Sequence, residues 1–252
     1  MAVLLMFVPL VNAQQRFEVH VGTSIPTGNF ADNTYNNSIF GGSGCAATGL
    51  TAGAKYFYPI RSAQGLSLTL EVDLIMNGMS QSFKDQFQKE IDIAIDNSSN
   101  SYSYGSSYGS GYGTYMPVSI KVNYCNYLNI PVLGGVSYKL PINNKLAVYA
   151  NGGLGCNFSK ITDITMTSVY VGSFKGQSQT AKITFAPSTQ LATQIGGGVL
   201  INNFSPSLNY NQLGSYQFVG KAISASGSSS PNTNSVSSLM INTYTLTLGM
   251  LF

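Results

Sequence analysis

From residue 16 onward apolar and polar side chains alternate, segment after segment, with a period of two, the spacing of a strand whose two faces meet different surroundings. Residues 66–77 carry the pattern most cleanly: Leu66, Leu68, Leu70, Val72, Leu74 and Met76 fall on one face, and Ser67, Thr69, Glu71, Asp73, Ile75 and Asn77 on the other. That length suits a tilted strand crossing a bilayer. The last stretch, residues 239–252, repeats the pattern. Counting back in twos from Phe252 gives Met250, Leu248, Leu246 and Tyr244, while Leu251, Gly249, Thr247, Thr245 and Thr243 take the other face. An apolar edge of this kind invites aggregation, and closing a barrel removes it.

The same reading predicts strands over residues 16–22, 48–58, 116–138, 146–156, 191–201 and 208–218. The fourth strand slips register at Asn126, ends at Leu140-Pro141, and is longer than a bilayer needs, so its first part is expected to stand above the membrane. Between the strands, long connections (23–47, 78–115, 157–189, 224–235) alternate with short ones (60–65, 142–145, 202–203). In the long insertion 78–115, Phe83, Phe87, Ile91 and Ile95 are spaced four apart, with Ser82 and Asp85 placed as a cap. Ile91, Ile93 and Ile95 also alternate, so helix and strand extension both fit. The Ser/Tyr/Gly tract after Asn97 lacks aliphatic core formers and reads as a surface tip. The expected fold is all-β: an eight-stranded antiparallel up-and-down transmembrane β-barrel with short turns at one end and long loops at the other.

Composition sharpens this picture. Only 8% of the 252 residues are charged against 44% hydrophobic, and mean hydropathy is +0.10; a typical soluble domain carries roughly 25% charged residues. After residue 13 no apolar run reaches the length of a membrane-spanning helix. The net charge of +3 is scattered, which argues against a nucleic-acid surface. Residues 1–13 are apolar and close on Val11-Asn12-Ala13, like a secretory signal peptide without its positive start; residues 14–252 are then expected to form a single barrel domain. Cys45, Cys125 and Cys156 allow at most one internal disulfide, with the pairing open. None lies near another cysteine or the single His20 with a ligand spacing, so no metal and no cofactor is expected.

Glu71 and Asp73 bear on sidedness. A soluble, lipocalin-like carrier turns its apolar face inward; a membrane barrel turns these acids inward and six apolar residues to lipid. Pairing strands two and three across 60–65 sets Lys55 diagonal to Glu71. Glu18, His20, Lys55, Glu71, Asp73 and Lys139 form the candidate lumen network. Eight strands leave an interior just wide enough for side chains, which favours a packed ion network over a pore. Gly134-Gly135, Gly152-Gly153 and residues 196–198 lie inside strands with no following helix, and so read as packing glycines, not phosphate loops.

Four features together resemble the small outer-membrane β-barrel family of Gram-negative bacteria, which includes OmpA-like and OmpX-like eight-stranded barrels. They are Gly22-x-x-x-Pro26-x-Gly28-x-Phe30, Tyr58-Pro59, Asn129-Ile130-Pro131, and the apolar ladder to Phe252. The resemblance covers essentially all of residues 14–252. It implies residence in an outer membrane among lipid and lipopolysaccharide, and a terminal ladder (Tyr244, Leu246, Leu248, Met250, Phe252) that presents a sorting signal to the barrel-assembly machinery. The chain departs from the family in having no Trp, so Tyr56, Tyr58, Tyr138, Phe204 and Tyr244 would have to serve as interface aromatics. Some members modify lipid A, which needs a hydroxyl nucleophile or proton acceptor beside His and a carboxylate. Here His20 shares a face with Glu18, and a hydrogen-bonded lumen histidine is the simpler reading, so no catalytic residue is assigned. The expected role is structural or surface-interactive through the long loops, with an extracellular ligand unspecified; the alternatives are a narrow porin for small solutes and the soluble carrier.

Overall fold

The computed structural model describes residues 16–33, 43–101, 117–170, 178–218, 221–223 and 237–252. The segment 1–13, the Ser/Tyr/Gly tract after residue 101 and the loop 224–235 lie outside the described residues. The elements are β1 (Arg16–Thr27), β2 (Gly49–Pro59), β3 (Leu66–Gly78), α1 (Gln81–Ser101), β4 (Pro117–Asn123), β5 (Asn126–Pro141), β6 (Leu146–Ile161), β7 (Ile164–Tyr170), β8 (Ser178–Thr184), β9 (Ser188–Ile201), β10 (Phe204–Phe218), β11 (Lys221–Ile223) and β12 (Ser237–Leu251). Eight of them close a barrel in the order β1-β12-β10-β9-β6-β5-β3-β2, each neighbour antiparallel. At the seam Glu18 faces Leu251 and Thr27 faces Asn242, and the Phe252 amide donates to the Phe17 carbonyl at 2.9 Å. The closing strand therefore has a partner on each side, β1 and β10.

Alternation along each strand sorts side chains by chemistry. Outward positions carry exposed apolar residues, among them Val19, Leu50, Leu70, Leu154, Leu191, Leu208, Leu246 and Leu248. Inward positions carry buried polar ones: Glu18 and His20 on β1, Glu71 and Asp73 on β3, Asn151 on β6, Gln194 on β9, Asn209 on β10, and Thr243, Thr245 and Thr247 on β12. This is the arrangement a strand needs when lipid lies outside, and the reverse of what a soluble carrier of apolar ligands requires. At the short-turn end Phe17, Tyr58, Tyr138, Phe204 and Phe252 are exposed together, an aromatic girdle built without tryptophan. Tyr244 sits on the opposite side of the band, beside Tyr210 at 5.1 Å between rings.

Four expectations change at the long-loop end. The first strand does not stop at Gly22; β12 continues beside it and carries the pairing to Thr27. The long fourth strand breaks at Tyr124-Cys125: β5 stays in the barrel, while β4 pairs with β7 in a separate sheet of order β11-β8-β7-β4. Residues 157–161 continue β6, and β7 and β8 occupy much of the rest of 157–189. The ambiguous segment after Gly78 is helix, α1, because tertiary packing rewards the four-residue spacing: Phe83 and Phe87 are buried, stacked at 5.8 Å. Its cap is Ser80, whose Oγ accepts the Phe83 amide at 3.3 Å, not Ser82 with Asp85.

Candidate functional site: the polar lumen network

The barrel register gathers the charged side chains. Lys55 lies directly opposite both Glu18 and Glu71, a straight cross-strand pairing where a diagonal one was expected. Lys55 Nζ sits 2.7 Å from Glu71 Oε2. His20 Nε2 is 2.7 Å from Asp73 Oδ1 and 4.0 Å from Glu71 Oε1, and His20 Nδ1 is 3.5 Å from Glu18 Oε1. All five side chains are at most 5% exposed. Lys139 lies on the wall of a cavity of about 600 Å³ at the short-turn mouth, which Glu18 and Tyr149 also line.

Two glycines make the cluster fit. The neighbours of His20 across the strands are Gly53 on β2 and Gly249 on β12. A Cβ at Gly53 would overlap Asp73 Oδ1 and lie 2.7 Å from His20 Nε2; one at Gly249 would lie 2.7 Å from Glu18 Oε1. The missing side chains are thus the seats into which the charged groups fold.

Polar residues that the sequence pattern placed inward without assigning a role extend the cluster across the lumen. Gln194 Nε2 donates to Glu71 Oε1 at 3.2 Å. Asn151 Nδ2 donates to Gln194 Oε1 at 3.1 Å and to Asn209 Oδ1 at 3.2 Å. Asn209 Nδ2 donates to Ser207, whose hydroxyl meets Thr247 Oγ1 at 2.6 Å. The chain of contacts touches seven of the eight barrel strands. Their signal in the sequence was parity alone, because the partners are separated by up to 123 positions. Nearer the long-loop end Asn157 donates to Asn129, Ser159 and the Leu213 carbonyl. Above that layer the interior turns apolar: Phe30, Ile75, Met79, Phe83, Tyr127, Ile161, Leu213 and Ile241 form one buried cluster. Phe30 packs edge-on against Tyr127 at 4.9 Å, and the Tyr127 hydroxyl donates to the Gly44 carbonyl.

Chemically, this site is suited to holding charge. The His20–Asp73 contact is half of a hydrolytic triad, but the other imidazole nitrogen faces Glu18, not a hydroxyl, and the group is enclosed in the lumen, away from lipid on the outer wall. In the cap, burial pushes the Cys45 and Cys125 thiols up to about 12, so both stay protonated at neutral pH. Cys156 faces outward on β6 and is exposed.

No family model matches the sequence, and no curated protein matches it. Among solved structures the chain is similar to Ail, the attachment invasion locus protein of Yersinia pestis, at 12% identity over 94% of this chain and 97% of that one, with a TM-score of 0.36. It is also similar to a major outer membrane protein from Thermus thermophilus, at 13% identity over 95% of this chain and 99% of that one, with a TM-score of 0.43. Strand order and sidedness, independently of these likenesses, fix the architecture: the described residues build a small eight-stranded β-barrel of outer-membrane type, apolar toward lipid and packed with polar side chains within.

Proposed function

We propose that the chain is an integral outer-membrane barrel of a Gram-negative envelope, exported by its amino-terminal segment, whose role is structural and surface-interactive. One observation carries this reading: the lumen is crossed by a continuous hydrogen-bonded network and then covered by an apolar cap, which favours an anchor over a conduit. The long-loop end, meanwhile, is built up into a helix and a four-stranded sheet. Recognition usually sits on such projections from a rigid scaffold. Lipopolysaccharide and phospholipid would surround the apolar band, and the terminal ladder Tyr244, Leu246, Leu248, Met250 and Phe252 would be read by the barrel-assembly machinery.

Fractionation tests the compartment: the protein should sediment with outer membranes, need detergent for extraction and shift its gel mobility on heating. Recovery in the soluble fraction would end the proposal. Planar-bilayer recording separates anchor from narrow porin; discrete single-channel steps would favour the porin. Deleting Phe252 should lower the amount reaching the membrane while leaving the assembled fraction heat-modifiable, and undiminished membrane levels would remove the ladder's assembly role.

A further inference from the structure

Three carboxylates converge on one imidazole and one ammonium in the lumen. Glu18, Glu71 and Asp73 bring three negative charges and Lys55 one positive. Both imidazole nitrogens face carboxylate oxygens, so a neutral ring would set one lone pair against a carboxylate. A doubly charged cation on Nε2 removes that conflict. The ring then keeps its hydrogen on Nδ1, the side on which Glu18 lies.

We propose that the lumen binds one divalent transition-metal ion between His20 Nε2, Asp73 Oδ1 and Glu71 Oε1. These three groups each offer one ligand atom, all within 4.8 Å of one another and all buried; no other such group occurs among the described residues. Ligand atoms bound about 2.0–2.2 Å from a tetrahedral metal lie roughly 3.3–3.6 Å apart. The observed 2.7 Å and 4.0 Å from His20 Nε2 bracket that range, and the two carboxylate oxygens lie within 4.8 Å of each other. The surroundings have the form metal sites use. Glu18 Oε1 lies 3.5 Å from Nδ1 behind the ligand imidazole, where Nδ1 is buried without a hydrogen bond and would turn its hydrogen to that carboxylate once Nε2 holds the ion, and Lys55 and Gln194 hold the ligand carboxylate of Glu71. Gly53 leaves open the space where His20 and Asp73 meet. One imidazole and two carboxylates select a zinc-like ion over calcium or magnesium, which prefer oxygen alone. Entry runs from the short-turn mouth, since Glu18 lines the cavity there as well as touching His20. The signal escaped the sequence because His20 stands 51 and 53 positions from Glu71 and Asp73.

The test uses the untagged full chain, refolded in detergent, with zinc chloride as the probe and heat-modifiable mobility to verify folding. Wild-type protein passed over a chelating resin should retain about one zinc per chain, while His20→Gln and Asp73→Asn should each bind at least about tenfold more weakly and Glu18→Gln about 10–100-fold more weakly. As the chain has a single histidine, nitrogen NMR of selectively labelled protein gives a second readout that needs no variant: zinc should move the Nε2 resonance and leave Nδ1 protonated. Folded wild type that retains no zinc, or zinc retained equally by His20→Gln, or an Nε2 resonance indifferent to zinc, each overturns the site and leaves a proton as the occupant.

Discussion

Along the same strands the barrel interior is filled in two ways. Between Glu18 and Thr247 it is carboxylate, imidazole, amide and hydroxyl; from Ile75 and Leu213 onward, toward the long-loop end, it is Phe30, Tyr127, Ile161 and the buried face of α1. The outside explains the change. Where lipid surrounds the wall, apolar side chains gain nothing by pointing inward, so they face out and the polar ones are left to satisfy each other within. Where the strands rise beyond the bilayer, water lies outside and burial of apolar surface again stabilises the interior.

The largest effect expected from breaking this contrast is in the polar half. Glu71→Ala with Lys55 intact strands a buried ammonium and should lower urea stability of the refolded barrel by about 3–5 kcal/mol. Adding Lys55→Met should return much of that loss, and a double-variant loss equal to the sum of the single losses would show the two side chains uncoupled. In the apolar half, Phe83→Ala should cost about 3 kcal/mol, but locally: limited proteolysis should open residues 81–101 while heat-modifiability persists. Simultaneous loss of barrel and cap would mean that the two interiors form one cooperative unit. Gly53→Ala should be milder, about 1–3 kcal/mol, and should disturb the His20 resonance because the new methyl occupies the space of Asp73 and His20. Last comes a change with no effect on fold at neutral pH. A small maleimide should leave Cys45 and Cys125 unlabelled there and reach them only as pH climbs from the ordinary thiol value of 9.0 toward about 12. Since the folded thiols hold their protons longer than unfolded ones, the cap should also lose stability across that same window; rapid labelling at pH 7 would show that it is open.

How far the sequence could be read follows the range of each interaction. Strand faces were legible at Leu66 to Met76 and at Tyr244 to Phe252, because one side chain in two met lipid. The helix over residues 81–101 was not separable from a strand, because Ile91, Ile93 and Ile95 satisfy both periods and only the docking of Phe83 and Phe87 chooses between them. Glu18, His20, Lys55, Glu71 and Asp73 could be placed inward from parity. Their mutual distances, the glycine seats and the partners Gln194, Asn151 and Asn209 could not, since those come from strands far apart in the chain.

Alternation, the paucity of charge and the long-short rhythm of connections by themselves determine an inside-out barrel of eight strands, because they are local responses to lipid on one side of a strand. Which inward side chains touch, and whether the interior ends in charge or in an apolar cap, was decided only by closure. Register between strands is set by the whole ring at once, and a one-residue slip would turn every one of those side chains to the other face.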